Sequence, residues 1–64
     1  MTPTIKYQAE DNAAYIRLST EQILESAEVA PGVVFDYDVQ GRIVGIELLD
    51  ARAQLSPELL EEAA

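Results

Sequence analysis

Asp36, Asp38, Gln40, Gly41 and Glu47 are spaced as D-x-D-x-Q-G-x5-E, the spacing of a calcium-binding EF-hand loop apart from Gln at the fifth position. Calcium chemistry at that spacing needs hard carboxylate oxygens that converge on one ion, and a helix on each side of the loop brings them together. The flanks here are Val33-Val34-Phe35 and the run from Ile43 to Leu49, β-branched and aromatic sequence that favours strands. Carboxylates on extended backbone stand out from a sheet and need not converge. The favoured reading is a β-turn in which Asp38 bonds its own backbone and Gly41 supplies a positive φ. A small divalent-cation-binding domain using Asp36, Asp38 and Glu47 is the alternative. No residue is assigned as a metal ligand and no cofactor is expected.

Glu10, Asp11, Asp36, Asp38, Glu47 and Asp50 also invite comparison with the acid pair of a glycosidase or nuclease, which needs two carboxylates of separated pKa in a cleft. A chain of 64 residues has little room for such a cleft, so a solvated acidic surface is the simpler account. The sequence contains no His and no Cys, which removes the commonest general base, the thiolate nucleophile, zinc fingers and disulfides. No catalytic residue is assigned, and the protein is not read as an enzyme. Four Lys and Arg against twelve Asp and Glu leave a net charge of −8. That balance argues against nucleic acid and against a membrane surface, where affinity comes from cations on phosphate. It favours a partner that is basic or apolar. Tyr15 and Arg17 share a strand face, where cross-strand packing is the first reading and an aromatic and Arg anchor at a protein interface the second.

The elements that must carry these residues follow from periodicity. Ile5, Tyr7 and Ala9 alternate with Lys6 and Gln8, and Ala14, Ile16 and Leu18 alternate with Tyr15, Arg17 and Ser19, with Glu10-Asp11-Asn12 as turn residues between them. This predicts an antiparallel hairpin with strands near 4–9 and 13–19. Residues 20–30 divide evenly between one or two helical turns near 20–25, boxed by Ser19 and Gln22, and an extended run that includes 27–29. Ala30-Pro31-Gly32-Val33 predicts a type II turn, whose twist is wrong for a tight hairpin, so the strands it joins should be splayed or bulged. Val33 to Tyr37 and Arg42 to Leu49 predict a second hairpin around Asp38 to Gly41. Its register is open: either Val33, Phe35 and Tyr37 or Val34 and Asp36 stand opposite Val44, Ile46 and Leu48. Ser56 as N-cap, Pro57 at the first helical position, Glu58 in the first turn and a Leu55–Leu60 staple predict a helix over 56–63, with Leu59, Leu60 and Ala63 as its apolar stripe.

Three ordered blocks, Tyr7 to Leu18, Pro31 to Gly41 and Val44 to Ala51, together resemble the short prokaryotic proteins of the domain-of-unknown-function 2283 family. The resemblance covers residues 5–51. The chain departs from that pattern at Gln8 and Asn12, where Asp is usual, and at Ala14, where a larger aliphatic residue is usual. The resemblance implies a compact β-rich domain without an assigned activity or catalytic residues to carry over. It also implies an association with small toxin-like proteins, beside which members are often encoded.

These patterns predict one domain over residues 1–64 of the α+β class: a small antiparallel β-sheet of two hairpins (β-rich 4–50) with strand order open, and a short C-terminal helix. Nine of the apolar residues are Ala, so the core is thin, and a homodimer is expected to supply the missing burial. No charged stretch followed by an apolar run opens the sequence and no long apolar segment interrupts it, so a cytoplasmic location is expected. The function expected is that of a small acidic protein-interaction module, antitoxin-like towards a basic partner. Asp36, Asp38, Glu47 and Asp50 would steer that partner in, while Tyr15, Arg17, Leu59 and Leu60 would hold it. Calcium titration separates this from the alternative. Saturable binding that is lost in Asp36→Asn and Glu47→Gln would support the cation site, and its absence leaves the interaction module.

Overall fold

The computed structural model describes residues 2–63, so residues 1 and 64 of the expected domain lie outside the described residues. Five strands, β1 (Thr4–Gln8), β2 (Ala13–Arg17), β3 (Glu25–Ala30), β4 (Val33–Tyr37) and β5 (Ile43–Leu49), form one antiparallel sheet in the order β1-β2-β5-β4-β3. Two short helices follow, α1 (Ala51–Gln54) and α2 (Pro57–Ala63). The first hairpin is the expected one, with Ile5 opposite Ile16 and Tyr7 opposite Ala14.

The expectation of two hairpins is one strand short, because residues 25–30 form a further edge strand on β4. No helical turn forms over 20–25, since the sheet takes the groups a helix would use. Leu18 and Ser19 donate their N–H groups to the Val44 carbonyl at 3.0 and 3.3 Å, Leu24 donates to the Tyr37 carbonyl at 2.8 Å, and the Arg17 guanidinium takes the Glu21 carbonyl at 2.9 Å. Ser19 Oγ accepts the Glu21 N–H at 3.1 Å, a capping bond with no helix behind it.

Both later turns follow their glycines. Gly32 has φ 74°, and the strands joined by its turn are bulged as expected, with Val29 left out of register between Glu28 and Ala30. Gly41 has φ 78° and closes the β4–β5 loop by donating to the Asp38 carbonyl at 3.0 Å. The open register resolves with Val33 opposite Leu48 and Phe35 opposite Ile46. A second shift pairs Tyr37 with Ile43, which leaves Val44 as the extra residue of a bulge.

Register then assigns the faces. Tyr7, Ala14, Ile16, Val33, Ile46 and Leu48 share one face, and α1 and α2 pack on its β1 and β2 side. Ala14, Leu48, Ala51 and Leu60 form the buried cluster, with Tyr7, Ile16, Val33, Ile46 and Leu55 packed around it. Phe35, on the same face, instead meets Tyr37 edge-to-face at 6.4 Å. Serine 56 caps α2 as expected, Ser56 Oγ accepting the Leu59 N–H at 3.3 Å and its carbonyl the Leu60 N–H at 3.2 Å.

Helix α1 has no local signature because its cap comes from the other end of the chain. Asp50 sits at φ 54° and makes no cap bond of its own. Asn12, at φ 51° in the β1–β2 turn, accepts the Ala51 N–H on its carbonyl and the Arg52 N–H on its side-chain oxygen, each at 2.9 Å, and donates its amide to Asp50 Oδ1 at 2.8 Å. From the other end of α1, Gln54 Nε2 donates to the carbonyls of Leu49 and Gly32 at 2.6 and 3.1 Å. Replacing Asn12 by Ala removes the cap and places a β-carbon at a positive φ, for a combined loss of about 2–3 kcal/mol. Asn12→Gly removes only the side-chain bonds and should cost about half as much. Thermal unfolding should therefore rank wild type above Asn12→Gly above Asn12→Ala, with steps of roughly 4–8 °C per kcal/mol for a domain this size.

Candidate functional site

Tyr15, Arg17, Gly45, Glu47, Asp36 and Ser26 lie on the sheet face opposite the helices, in two neighbouring rows of the register. Tyr15 on β2 and Asp36 on β4 are separated by β5, and the residue between them is Gly45. A lone Gly inside a strand marks the close approach of another group. Here that group is the Tyr15 ring: a β-carbon on Gly45 would lie 2.6 Å from Tyr15 Cζ and collide with the hydroxyl as well. The hydroxyl thus reaches across β5 and donates to Asp36 Oδ2 at 2.9 Å, while Ser26 Oγ on β3 donates to Oδ1 at 2.5 Å. Arg17 Nη1 stands 3.5 Å from the same hydroxyl.

Asp36 is only 6 % exposed, so its two donors replace the water it has lost. Burial raises the Tyr15 pKa above the usual tyrosine value, donation to Asp36 raises it further, and Arg17 pulls weakly the other way. A phenol held neutral in this way is a poor acid and a poor nucleophile at neutral pH. The cluster ties β2, β4 and β3 together across β5.

The other expected site residues are placed as follows. Asp38 is also buried, its Oδ1 accepting the N–H groups of Gln40 and Arg42 at 2.9 Å each, the turn role read from its sequence. Glu47 is exposed opposite Tyr15. Among the described residues no group of three or more carboxylates is placed to hold a metal ion. Asp50 is engaged with Asn12, Leu60 is buried in the core and Leu59 is half-buried on α2. The structure thus brings Tyr15, Arg17 and Asp36 together and leaves Asp38, Asp50, Leu59 and Leu60 apart from them.

A different group of residues stands open at the end of the sheet away from α1. Ile23, Leu24, Val39 and Ile43 are 38, 65, 79 and 41 % exposed where β3 begins and the β4–β5 loop turns. A shallow groove of about 350 Å³ there is lined by Glu21, Gln22, Ile23, Leu24, Asp38 and Val39. The signal for it was in the sequence: Val39 is an apolar residue at a turn tip, where nothing can bury it. Residues 18–41 contain five acids and no Lys or Arg; the cations nearest this end are Arg42, exposed in the β4–β5 loop, and Arg17, whose guanidinium takes the Glu21 carbonyl.

The family described as protein of unknown function (DUF2283) matches residues 4–52, more than half of the chain. The chain belongs to this family. The DUF2283 match takes in all five strands, the Tyr15 cluster and the apolar end, and stops inside α1, so that α2 lies beyond it. No curated protein and no solved structure matches the chain. The family description carries no activity, and function has to be argued from the surface.

The cluster itself is testable by stability. Tyr15→Phe leaves a buried carboxylate oxygen without its donor and should cost about 1–3 kcal/mol in chemical denaturation. Gly45→Ala should cost at least as much, because the ring must swing away from Asp36. Since the folded-state pKa of Tyr15 is raised, its stabilisation is fully present below the ordinary tyrosine pKa of about 10 and is lost as pH rises through the raised value. Stability of the wild type should therefore hold through neutral pH and fall in strong alkali, and phenolate absorbance should lose a component titrating above the ordinary tyrosine value in Tyr15→Phe.

Proposed function

We propose that the protein is a small cytoplasmic interaction module that docks a basic protein partner against the β3 side of its sheet, as an antitoxin-like cover of a positively charged surface would. One observation carries the reading: the most exposed apolar side chains, Leu24 and Val39, stand within a stretch of chain that holds five acids and no cation. Exposed apolar groups rimmed by charge of one sign fit a protein surface of the opposite sign. With the Tyr15 hydroxyl engaged by Asp36 and Leu60 in the core, Leu24 and Val39 take the anchoring role. Glu21, Glu25 and Glu28 are exposed beside them and supply the steering charge. No described helix is long and apolar enough to cross a membrane. Self-association is the second reading, favoured by the Phe35–Tyr37 pair on the part of the inner face beyond the helix-covered core.

A photo-reactive residue in place of Val39, in the cells that make the protein, should capture a protein of net positive charge, and capture should fall in Leu24→Ser. The same probe at Gln8, on the opposite edge, should capture none. With the captured partner purified, raising salt from about 50 to 500 mM shortens the screening length from roughly 14 to 4 Å and should slow association far more than it speeds dissociation. Equal capture at both positions, or an acidic partner, would refute the reading. Capture of a second copy of this chain would establish the self-association instead.

A further inference from the structure

Strand β3 pairs only with β4, so alternate residues along its outer side present unpaired N–H and C=O groups. All six of its residues are exposed. Resting on the interaction module just proposed, we infer that β3 is the docking edge itself, and that the partner contributes a basic extended segment that adds to the sheet as a sixth strand. Backbone pairing gives such a segment its hold, and side chains at alternate positions give it selectivity.

Charge names the occupant. Glu25 and Glu28 fall on opposite faces of β3, and Glu21 precedes them, with no cation between residues 18 and 41. An incoming strand meets a carboxylate whichever face its side chains take, so Lys or Arg on it is favoured throughout. A second copy pairing through its own β3 would bring like charges together. The β1 edge is guarded by Pro3 and carries Lys6, the ordinary devices against strand addition. On β3 the guards are the Val29 bulge and the carboxylates of Glu25 and Glu28, which repel an acidic strand but not a basic one, so the stretch from Leu24 to Glu28 is free to pair with a cationic segment. The groove of Ile23, Leu24 and Val39 lies at the start of that stretch, where it can receive one apolar side chain of the added strand.

The probe is a blocked peptide of four Lys-Val repeats, compared with the same peptide carrying N-methyl groups on every backbone amide and with a Glu-Val counterpart. Titrated into the full chain, the Lys-Val peptide should bind saturably and protect the outward-facing β3 amides, those not bonded to β4, from hydrogen exchange. The Glu-Val peptide should not bind, and the double variant Glu25→Gln, Glu28→Gln should weaken binding about two- to tenfold. The N-methylated peptide keeps every charge and side chain but cannot pair, so it should fail. Equal binding of both Lys-Val peptides would overturn strand addition while leaving the acidic docking surface in place. Failure of both would overturn the inference, and the cross-linking from Val39 would then judge the broader reading on its own. Protection of the outward-facing β3 amides, those not already bonded to β4, without any peptide would show a second copy on this edge and also overturn it.

Discussion

A buried carboxylate must be given donors, and in this protein the demand of Asp36 fixes the middle of the sheet. Its two oxygens take one proton from Tyr15 on β2 and one from Ser26 on β3, so a residue of β4 is held by both the strand beside it and the strand two places away. The arrangement works only if Gly45 is bare, since any β-carbon there fills the path of the Tyr15 ring. It also works in one register only. Sliding β4 by a single residue turns Asp36 to the helix-covered face, where it would stand against Ile46 and Leu48 of β5 with neither donor. With five buried apolar residues among the described ones, a misplaced charge of that kind would outweigh most of the apolar gain.

The two ends of the sheet are built in opposite ways. At one end, the β1–β2 turn and the β3–β4 turn are both tied to α1, through Asn12 and Gln54, and the C-terminal half of β5 runs between them. At the other end, the long passage from β2 to β3 is held by a few backbone bonds to Val44 and Tyr37, and its apolar side chains remain open. The cations are few: Lys6 and Arg17 belong to β1 and β2, Arg42 to the β4–β5 loop and Arg52 to α1, while β3 itself carries only carboxylates among its charged residues. Fixed geometry thus stands at one end of the sheet and an unfilled apolar surface at the other.

Most of this was legible in the sequence where the determining interaction is local. Alternation gave the first hairpin, Pro31-Gly32 gave a turn with a bulged strand beside it, and Ser56-Pro57 marked the start of α2. What depended on distant residues was not legible. Residues 20–24 carry a capping sequence, yet the sheet end claims their donors, and α1 is capped by an asparagine 40 positions away from the amide it accepts. The second hairpin kept two registers open because apolar residues occur at both parities; the burial of Asp36 closes that choice, and burial cannot be seen in a one-dimensional pattern. Tyr15 was read first as cross-strand packing, and its packing partner turned out to be polar and two strands away. Ser26 gave no signal at all, being an ordinary polar residue in an uncertain stretch. The isolated Gly45 could have pointed to the close approach above it.

The acids sort themselves by what they touch, and that sorting bears on what the charge is for. Asp36 and Asp38 look like cation ligands in the sequence, yet each is buried and hydrogen-bonded within the fold, Asp36 by side chains on both oxygens and Asp38 through Oδ1 by its own turn. The field that reaches solvent on the β3 side therefore comes from Glu21, Glu25 and Glu28, all exposed. With a screening length of about 8 Å at physiological salt, such a field is felt by groups that approach the strand itself rather than by a distant surface. An exposed edge is an invitation to identical strands, and carboxylates along it turn that invitation away from copies of the same chain by like-charge repulsion. The same carboxylates cost nothing against a cationic strand. A single short stretch of sequence can thus keep the free protein from pairing with itself and still leave the edge available to a partner of opposite charge.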